Sequence, residues 1–473
     1  MKRSRAIGLG TAALLCPAPA FSQEAINAED RADLIQLVAG ASQAPETVGF
    51  SVAVARGGTV AFSAARGERN LDPKAPATVE TWYCIGSVTK QFTAALIMQL
   101  VEARRLALDD KLATVLPEFP HASDVTFRQL LNHTSGLAEY SGQVFSAGLL
   151  DKAGVRPDAL VALIAGKPLD FVPGTKWEYS NSNYVALGLT IEKIAGKPYA
   201  HVLRERIIQP LGIAVYPGPP PSGEIARGYT AGTTPMPMAP SDISWAYAAG
   251  EIYATVGGLV AWDRALFGGR VVNAESLAQM TTPAKLVDGT STDYGFGFSA
   301  ITVLGHRMIS HNGGVPGGFA AQNFVFPDDG IAIVTLANTM NFNLALPATK
   351  LADVFLPGTN AALESLSQER VTELDDPTIR ARAREWIGRI ETGSYDTSQL
   401  TPQMASALTP DAVKPALQII KPAGAIENLR LAGFVLRGGY RIYVYTVTAA
   451  AATYTFTFVL DPQDKVAGLF FKP

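Results

Sequence analysis

Apolar positions change their period several times along the chain, and those changes divide it into elements. From Ala28 to Ala41 they recur at helical spacing, through Leu34, Ile35, Leu37 and Val38. Two alternating runs follow, Val48 to Ala55 and Thr59 to Ala65, around Arg56-Gly57-Gly58. Alternation interrupted by a glycine turn predicts a β-hairpin. Helical periodicity returns from Ser87 to Leu106, with Phe92, Leu96, Met98, Leu100 and Val101 as core positions. Further helices are predicted at Thr126 to Asn132, Asp158 to Ala165, Tyr184 to Ala195 and Thr255 to Phe267. Between Tyr216 and Pro240 the pattern dissolves into Pro, Gly and Thr, which predicts an excursion over the surface beside a site. Strand patterns then occupy Gly295 to Val303, His306 to Ser310, Ala320 to Phe326 and Ile331 to Leu336. Strands at both ends with helices between predict one mixed sheet whose edges come from distant sequence, plus a helical insertion.

The last hundred residues differ in kind. Helical runs Ile379 to Thr392 and Pro410 to Leu417 precede strands at Leu429 to Leu436, Arg441 to Thr448, Thr453 to Leu460 and Lys465 to Phe471. That order predicts a separate α+β module. A chain of 473 residues favours one large domain plus a smaller one, here residues 24–357 and 378–473, with a small-polar linker at 358–377.

Charge narrows the choice of partner. There are 39 basic and 42 acidic residues and no basic stripe with interleaved aromatics, so a nucleic-acid partner is excluded. Residues 1–22 read as a signal peptide. Lys2, Arg3 and Arg5 precede an apolar run, Ala6 to Cys16, with cleavage expected after Ala20 or Ser22. The run is short of the ~20 residues that span a bilayer, so the expectation is a periplasmic or secreted product without stable membrane insertion. After processing only Cys84 remains, which excludes an intramolecular disulfide; it is read as a packing residue.

Three short segments carry candidate chemistry. In Gly86-Ser87-Val88-Thr89-Lys90, at a predicted helix start, Lys90 lies one turn beyond Ser87 on the same face. A desolvated amine there can take the hydroxyl proton, and the helix N-terminus favours negative charge. In Tyr179-Ser180-Asn181 a phenol beside a lysine can relay protons, and an asparagine amide can bond a substrate amide. The same stretch also reads as a polar loop in which Ser182 or Asn183 caps the next helix. In His311-Asn312-Gly313-Gly314 the glycines permit close backbone approach and an exposed N–H.

Taken in order, Ser87-Val88-Thr89-Lys90, Tyr179-Ser180-Asn181 and His311-Asn312-Gly313 resemble the three motifs of the serine β-lactamase and DD-peptidase superfamily. The likeness is nearest the class C β-lactamase-like branch, which includes esterases, D-aminopeptidases and D-alanyl-D-alanine carboxypeptidases. Leu130-Leu131-Asn132-His133-Thr134-Ser135-Gly136-Leu137 and Gly257-Gly258-Leu259 with Trp262 resemble further segments of that branch, so the likeness spans roughly residues 30 to 355. The resemblance implies an antiparallel sheet flanked by helices with a helical insertion, and no cofactor. It implies Ser87 as the acylated nucleophile, Lys90 as its activator and Tyr179 as proton relay. Asn181, His311 and Gly313 would contact substrate, and the N–H groups of Ser87 and Gly314 would form an oxyanion hole. His133 is expected to be structural. Where class C β-lactamases carry Lys-Thr-Gly this chain has His311-Asn312-Gly313. A histidine titrating near neutrality is expected to anchor a substrate carboxylate less well than lysine, so esters, amides or D-peptides are favoured over β-lactams. The C-terminal module resembles the NTF2-like α+β cone and is read as a packing or dimerisation appendage. Two rivals stand beside the hydrolase: a non-catalytic peptidoglycan- or ligand-binding protein on the same scaffold, and a metal-dependent hydrolase. Five scattered histidines without metal-ligand spacing argue against the second.

Overall fold

The structure is a computed structural model that describes residues 26–41, 47–146, 148–149, 152, 154–230, 234–238, 243–315, 317–339, 345–437, 440–461 and 463–472. The export segment expected at residues 1–22 lies outside them. In chain order the first strands are β1 (Gly49–Arg56), β2 (Thr59–Leu71), β3 (Lys74–Pro76), β4 (Tyr83–Cys84), β5 (Val215–Pro217) and β6 (Ile252–Ala254). Then come β7 (Ser299–Val303), β8 (His306–Val315), β9 (Phe319–Phe326) and β10 (Ile331–Ala337). The last four are β11 (Ile426–Arg437), β12 (Tyr440–Ala449), β13 (Thr453–Leu460) and β14 (Val466–Lys472).

The main sheet runs β3-β2-β1-β10-β9-β8-β7, antiparallel throughout. Its centre joins distant sequence, Val52 standing opposite Thr335. Both faces are covered, which explains why β1 alternates large apolar residues with small buried ones, Ser51, Ala53 and Ala55, rather than with exposed polar ones. Ala53 and Ala55 face the larger helical core, whereas Phe50, Val52 and Val54 meet Leu34 and Val38 of helix Ala28–Ala41 and Leu351 of helix Ala345–Asp353. At the heart of the helical side lies helix Thr89–Glu102, buried around most of its circumference; its Phe92 stacks on Trp262 at 3.9 Å.

Several sequence expectations are corrected here. Helix Thr89–Glu102 stops before Leu106 because Arg104 takes φ +54 and the Arg105 N–H folds back to the Leu100 carbonyl. Helix Asn181–Ala195 begins three residues before Tyr184. Ser182 and Asn183 therefore sit inside it, bonded to Ala138 and to Ser135 and His133, rather than capping it. Strand β8 does not end at Ser310 but continues through His311-Asn312-Gly313-Gly314 to Val315. The Tyr216 to Pro240 segment is pinned inward at Tyr229, whose hydroxyl donates to Asn70 and accepts from the Leu71 N–H. The expected linker is largely helix Thr359–Glu373, whose Leu363 packs on the core beneath β1.

The C-terminal domain has the predicted α+β order, a four-stranded meander β11-β12-β13-β14 behind helices Pro377–Thr392 and Pro410–Ala423. Its own core gathers Trp386 and Ile387 against Tyr445, Phe456 and Phe458.

Candidate active site

Ser87 sits in a single 3₁₀ turn, Gly86–Val88, that leads straight into helix Thr89–Glu102. The turn requires glycine before the serine: Gly86 has φ +51, and a Cβ there would meet the Gly314 nitrogen at 2.8 Å. Lys90, fully buried in the first helical turn, places Nζ 3.1 Å from Ser87 Oγ. The same Nζ donates to Asn181 Oδ1 and to the Ala249 carbonyl, each at 2.8 Å. It also lies 4.8 Å from the Tyr179 ring centre. Helical spacing thus delivers the Ser87–Lys90 pair, and tertiary packing adds Asn181 and Tyr179.

Asn181 is the first residue of its helix, where backbone N–H groups lack helical partners. Glu139 supplies them. Its carboxylate accepts from the Asn181 N–H at 2.5 Å and from Asn181 Nδ2 at 3.2 Å, and from the Ser141 N–H at 2.7 Å. An acid at a helix start also complements the helix dipole. With its amide NH₂ held by Glu139, Asn181 turns Oδ1 towards Lys90. Sequence reasoning missed Glu139; its only signal is an acidic residue in an otherwise apolar Leu137-Ala138-Glu139-Tyr140 that follows a glycine.

His133 is buried beneath Tyr179, ring centroids 4.4 Å apart. Its Nδ1 accepts from the Ser180 N–H at 3.3 Å and faces Asn183 Nδ2 at 3.1 Å, so it holds the loop that carries Tyr179. Burial, then the charge of Lys90, keeps this imidazole well below its ordinary pKa.

Beyond Ser310 strand β8 outruns its partner β7, and residues 311–315 pair only with β9. The freed stretch runs against the nucleophile turn: a Cβ on Gly313 would fall 1.9 Å from the Ile85 carbonyl oxygen. Gly314 lines the cleft beside Ser87, whereas Gly313 is taken up by this close approach. His311 is buried, with Nδ1 2.6 Å from the Asn312 carbonyl oxygen and Nε2 2.8 Å from the Tyr294 hydroxyl. A carbonyl only accepts, so Nδ1 carries the proton and Nε2 accepts from Tyr294. Burial, then Lys90, pushes the His311 pKa down to about 3. The expected carboxylate anchor titrating near neutrality is thereby corrected: His311 stays neutral, and it supports Tyr294 outside the cleft wall.

The cleft encloses about 660 Å³. Ser87, Tyr179, Asn181, Asn312 and Gly314 line it, joined by Glu139, Ser141, Trp177 and Trp245. Leu374 and Phe434 complete the wall from beyond the hydrolase domain. Among the described residues that line it there is no Lys, Arg or His. Cys84 lies outside the wall, buried with Sγ 3.6 Å from the Gly250 carbonyl oxygen, its thiol pushed up to about 12 by burial.

The fold and the site together define a serine hydrolase. The chain belongs to the Beta-lactamase family, whose model matches residues 34–354. It is similar to a penicillin-binding protein of Bacillus subtilis (strain 168), 30% identical over 311 residues, or 61% of this chain and 67% of that protein. It is also similar to the D-aminopeptidase of Brucella anthropi, 27% identical over 400 residues, or 81% of this chain and 75% of that enzyme. The structure of an octameric penicillin-binding protein homologue from Pyrococcus abyssi superposes with a TM-score of 0.60 at 22% identity. That likeness in fold covers 91% of this chain and 90% of the other, so it extends into the C-terminal domain.

Proposed function

We propose that this protein hydrolyses small amides and peptides through an acyl-enzyme on Ser87, and favours substrates whose reacting residue carries a free amino group. With Lys90 as the neutral amine, Ser87 Oγ attacks the carbonyl carbon and its proton passes to Nζ, which becomes the ammonium. The N–H groups of Ser87 and Gly314 receive the oxyanion. Tyr179 relays the proton to the departing amine, and water then hydrolyses the ester by the reverse route. Asn181, oriented by Glu139, holds the substrate amide. The observation that carries the substrate class is the charge of the wall, where Glu139 is the one charged side chain among the described lining residues, while the Lys90 amine beneath is already held by Ser87, Asn181 and Ala249. An ammonium is favoured there by Coulomb attraction, and a carboxylate would be desolvated without a partner. β-Lactams and peptides ending in a free carboxylate are therefore poor substrates. Similarity to a D-aminopeptidase supports the same reading. The basic and apolar pattern of residues 1–22 supports export to the periplasm or beyond, with the cleaved N-terminus read by mass spectrometry.

The test compares D-alanine amide, N-acetyl-D-alanine amide and an N-acylated D-Ala-D-Ala peptide. The free amine should lead in kcat/KM by ~10-fold or more, and Glu139→Gln should erode that lead mainly through KM. A preference for the peptide with the free carboxylate would overturn the reading.

A further inference from the structure

The C-terminal domain, expected as an appendage, reaches the cleft. Phe434 on β11 is half-buried, packs on Tyr443 at 5.0 Å within its own domain, and lines the cleft that holds Ser87. Leu374 lies between helix Thr359–Glu373 and helix Pro377–Thr392, and joins the same wall while 44% exposed. Helix Thr359–Glu373 touches both β7 of the main sheet and β11 of the small domain, which fixes where the two side chains stand. A half-exposed leucine and a phenyl ring facing a cleft leave apolar surface in water. An apolar group on a bound substrate would remove that surface.

We propose that Phe434 and Leu374 form a specificity wall for an apolar group of the substrate, so that the C-terminal domain is part of the active site. This rests on the hydrolase reading above. Substrates then combine an ammonium near Glu139 with an aromatic or long aliphatic group against Phe434. Phe434 takes no part in bond making; it acts on binding and on the placement of the carbonyl at Ser87.

The full chain is tested with two pairs of p-nitrophenyl or phenolic esters, one pair with and without a phenyl group in the acyl part, the other in the alcohol part. A small fluorophosphonate that labels Ser87 serves as reference. Phe434→Ala should cut kcat/KM for the phenyl-bearing member of at least one pair ~10-fold relative to its plain partner, while the variant still takes up the label. Leu374→Ser, at an exposed position whose change spares the fold, should act in the same direction by ~3-fold. It decides the matter if Phe434→Ala disturbs the small domain. Labelled variants with unaltered selectivity overturn this inference alone. A wild-type protein that takes up no label overturns the hydrolase reading, and this inference with it.

Discussion

The floor and the rim of the cleft are built on opposite principles. On the floor, polar groups are buried and tied to one another: Lys90 to Ser87, Asn181 and Ala249, Asn181 to Glu139, His311 to Tyr294, His133 to the Tyr179 loop. The rim is largely apolar and drawn from distant chain, Trp177, Trp245, Leu374 and Phe434. A floor tied by mutual hydrogen bonds holds reacting groups in one geometry, since a misplaced partner leaves a buried polar atom unsatisfied. An apolar rim tolerates change, because dispersion and burial have little directionality. Chemistry therefore belongs to the floor and selectivity to the rim. Mutations in the two regions should differ in size and in which kinetic constant they move.

The largest effect is expected at the floor's one attacking atom. Ser87→Ala should lower turnover by ~10⁴-fold or more and abolish labelling by an acylating probe, with little change in stability. Intact-protein mass spectrometry should show one adduct on the wild type and none on the variant. An adduct on the variant would move the nucleophile elsewhere and dissolve the comparison.

Next come the partners. Lys90→Ala and Tyr179→Phe should each lower kcat by ~10²-fold or more, far beyond the ~10-fold expected of the rim. With Lys90 Nζ 4.8 Å from the Tyr179 ring, the double variant should fall well short of the product of the two. Multiplicative effects in a double-variant cycle would show that the two act separately.

The contrast also explains what the sequence made legible. Ser87 and Lys90 are three residues apart in one helical stretch, so their meeting follows from local geometry. The hairpin β1–β2, the meander β11–β14 and helix Ala28–Ala41 were equally local, each readable from period and turn residues. His311 was legible as a position but not in its role. Its environment comes from Tyr294 and from the edge of β8 beyond β7, neither of which shows in its own segment. Glu139 was missed because its role is to cap a helix 42 residues away. Phe434 was missed because no periodicity tells which outward residue of a small domain meets another domain. The stretch read as a linker of small and polar residues is a helix because its Ala, Leu, Glu, Gln and Arg favour that state, and Leu363 anchors it on the large core.

The smallest effect is on stability, and it tests whether the floor and the core below it are as dry as the comparison requires. His311 and His133 both have depressed pKa values, His311 to about 3, with burial as the leading cause. Below the ordinary histidine pKa of ~6.5 the unfolded chain takes up these protons and the folded protein does not, so stability should fall as pH drops from there. Asp263 acts in the opposite direction. It lies in the core on helix Val256–Phe267, accepts one hydrogen bond from Asn323 at 2.9 Å, and is raised to about 8 by burial. Between the ordinary aspartate pKa of ~3.9 and about 8 the folded protein holds a proton that the unfolded chain has lost, so this residue weakens the fold as pH rises through that window. Each group contributes a slope of at most about 1.4 kcal/mol per pH unit. With two histidines outweighing one aspartate on the acid side, stability should peak near the histidine value and decline towards pH 8. Asp263→Asn should flatten the alkaline decline and steepen the acid limb, where the aspartate no longer offsets the two histidines, as read from denaturant midpoints in steps of half a pH unit. It should also leave kcat within ~2-fold, since Asp263 lines no part of the cleft. An unchanged alkaline limb in the variant would mean that Asp263 is solvated, and that dryness does not extend from the floor into the core beneath it.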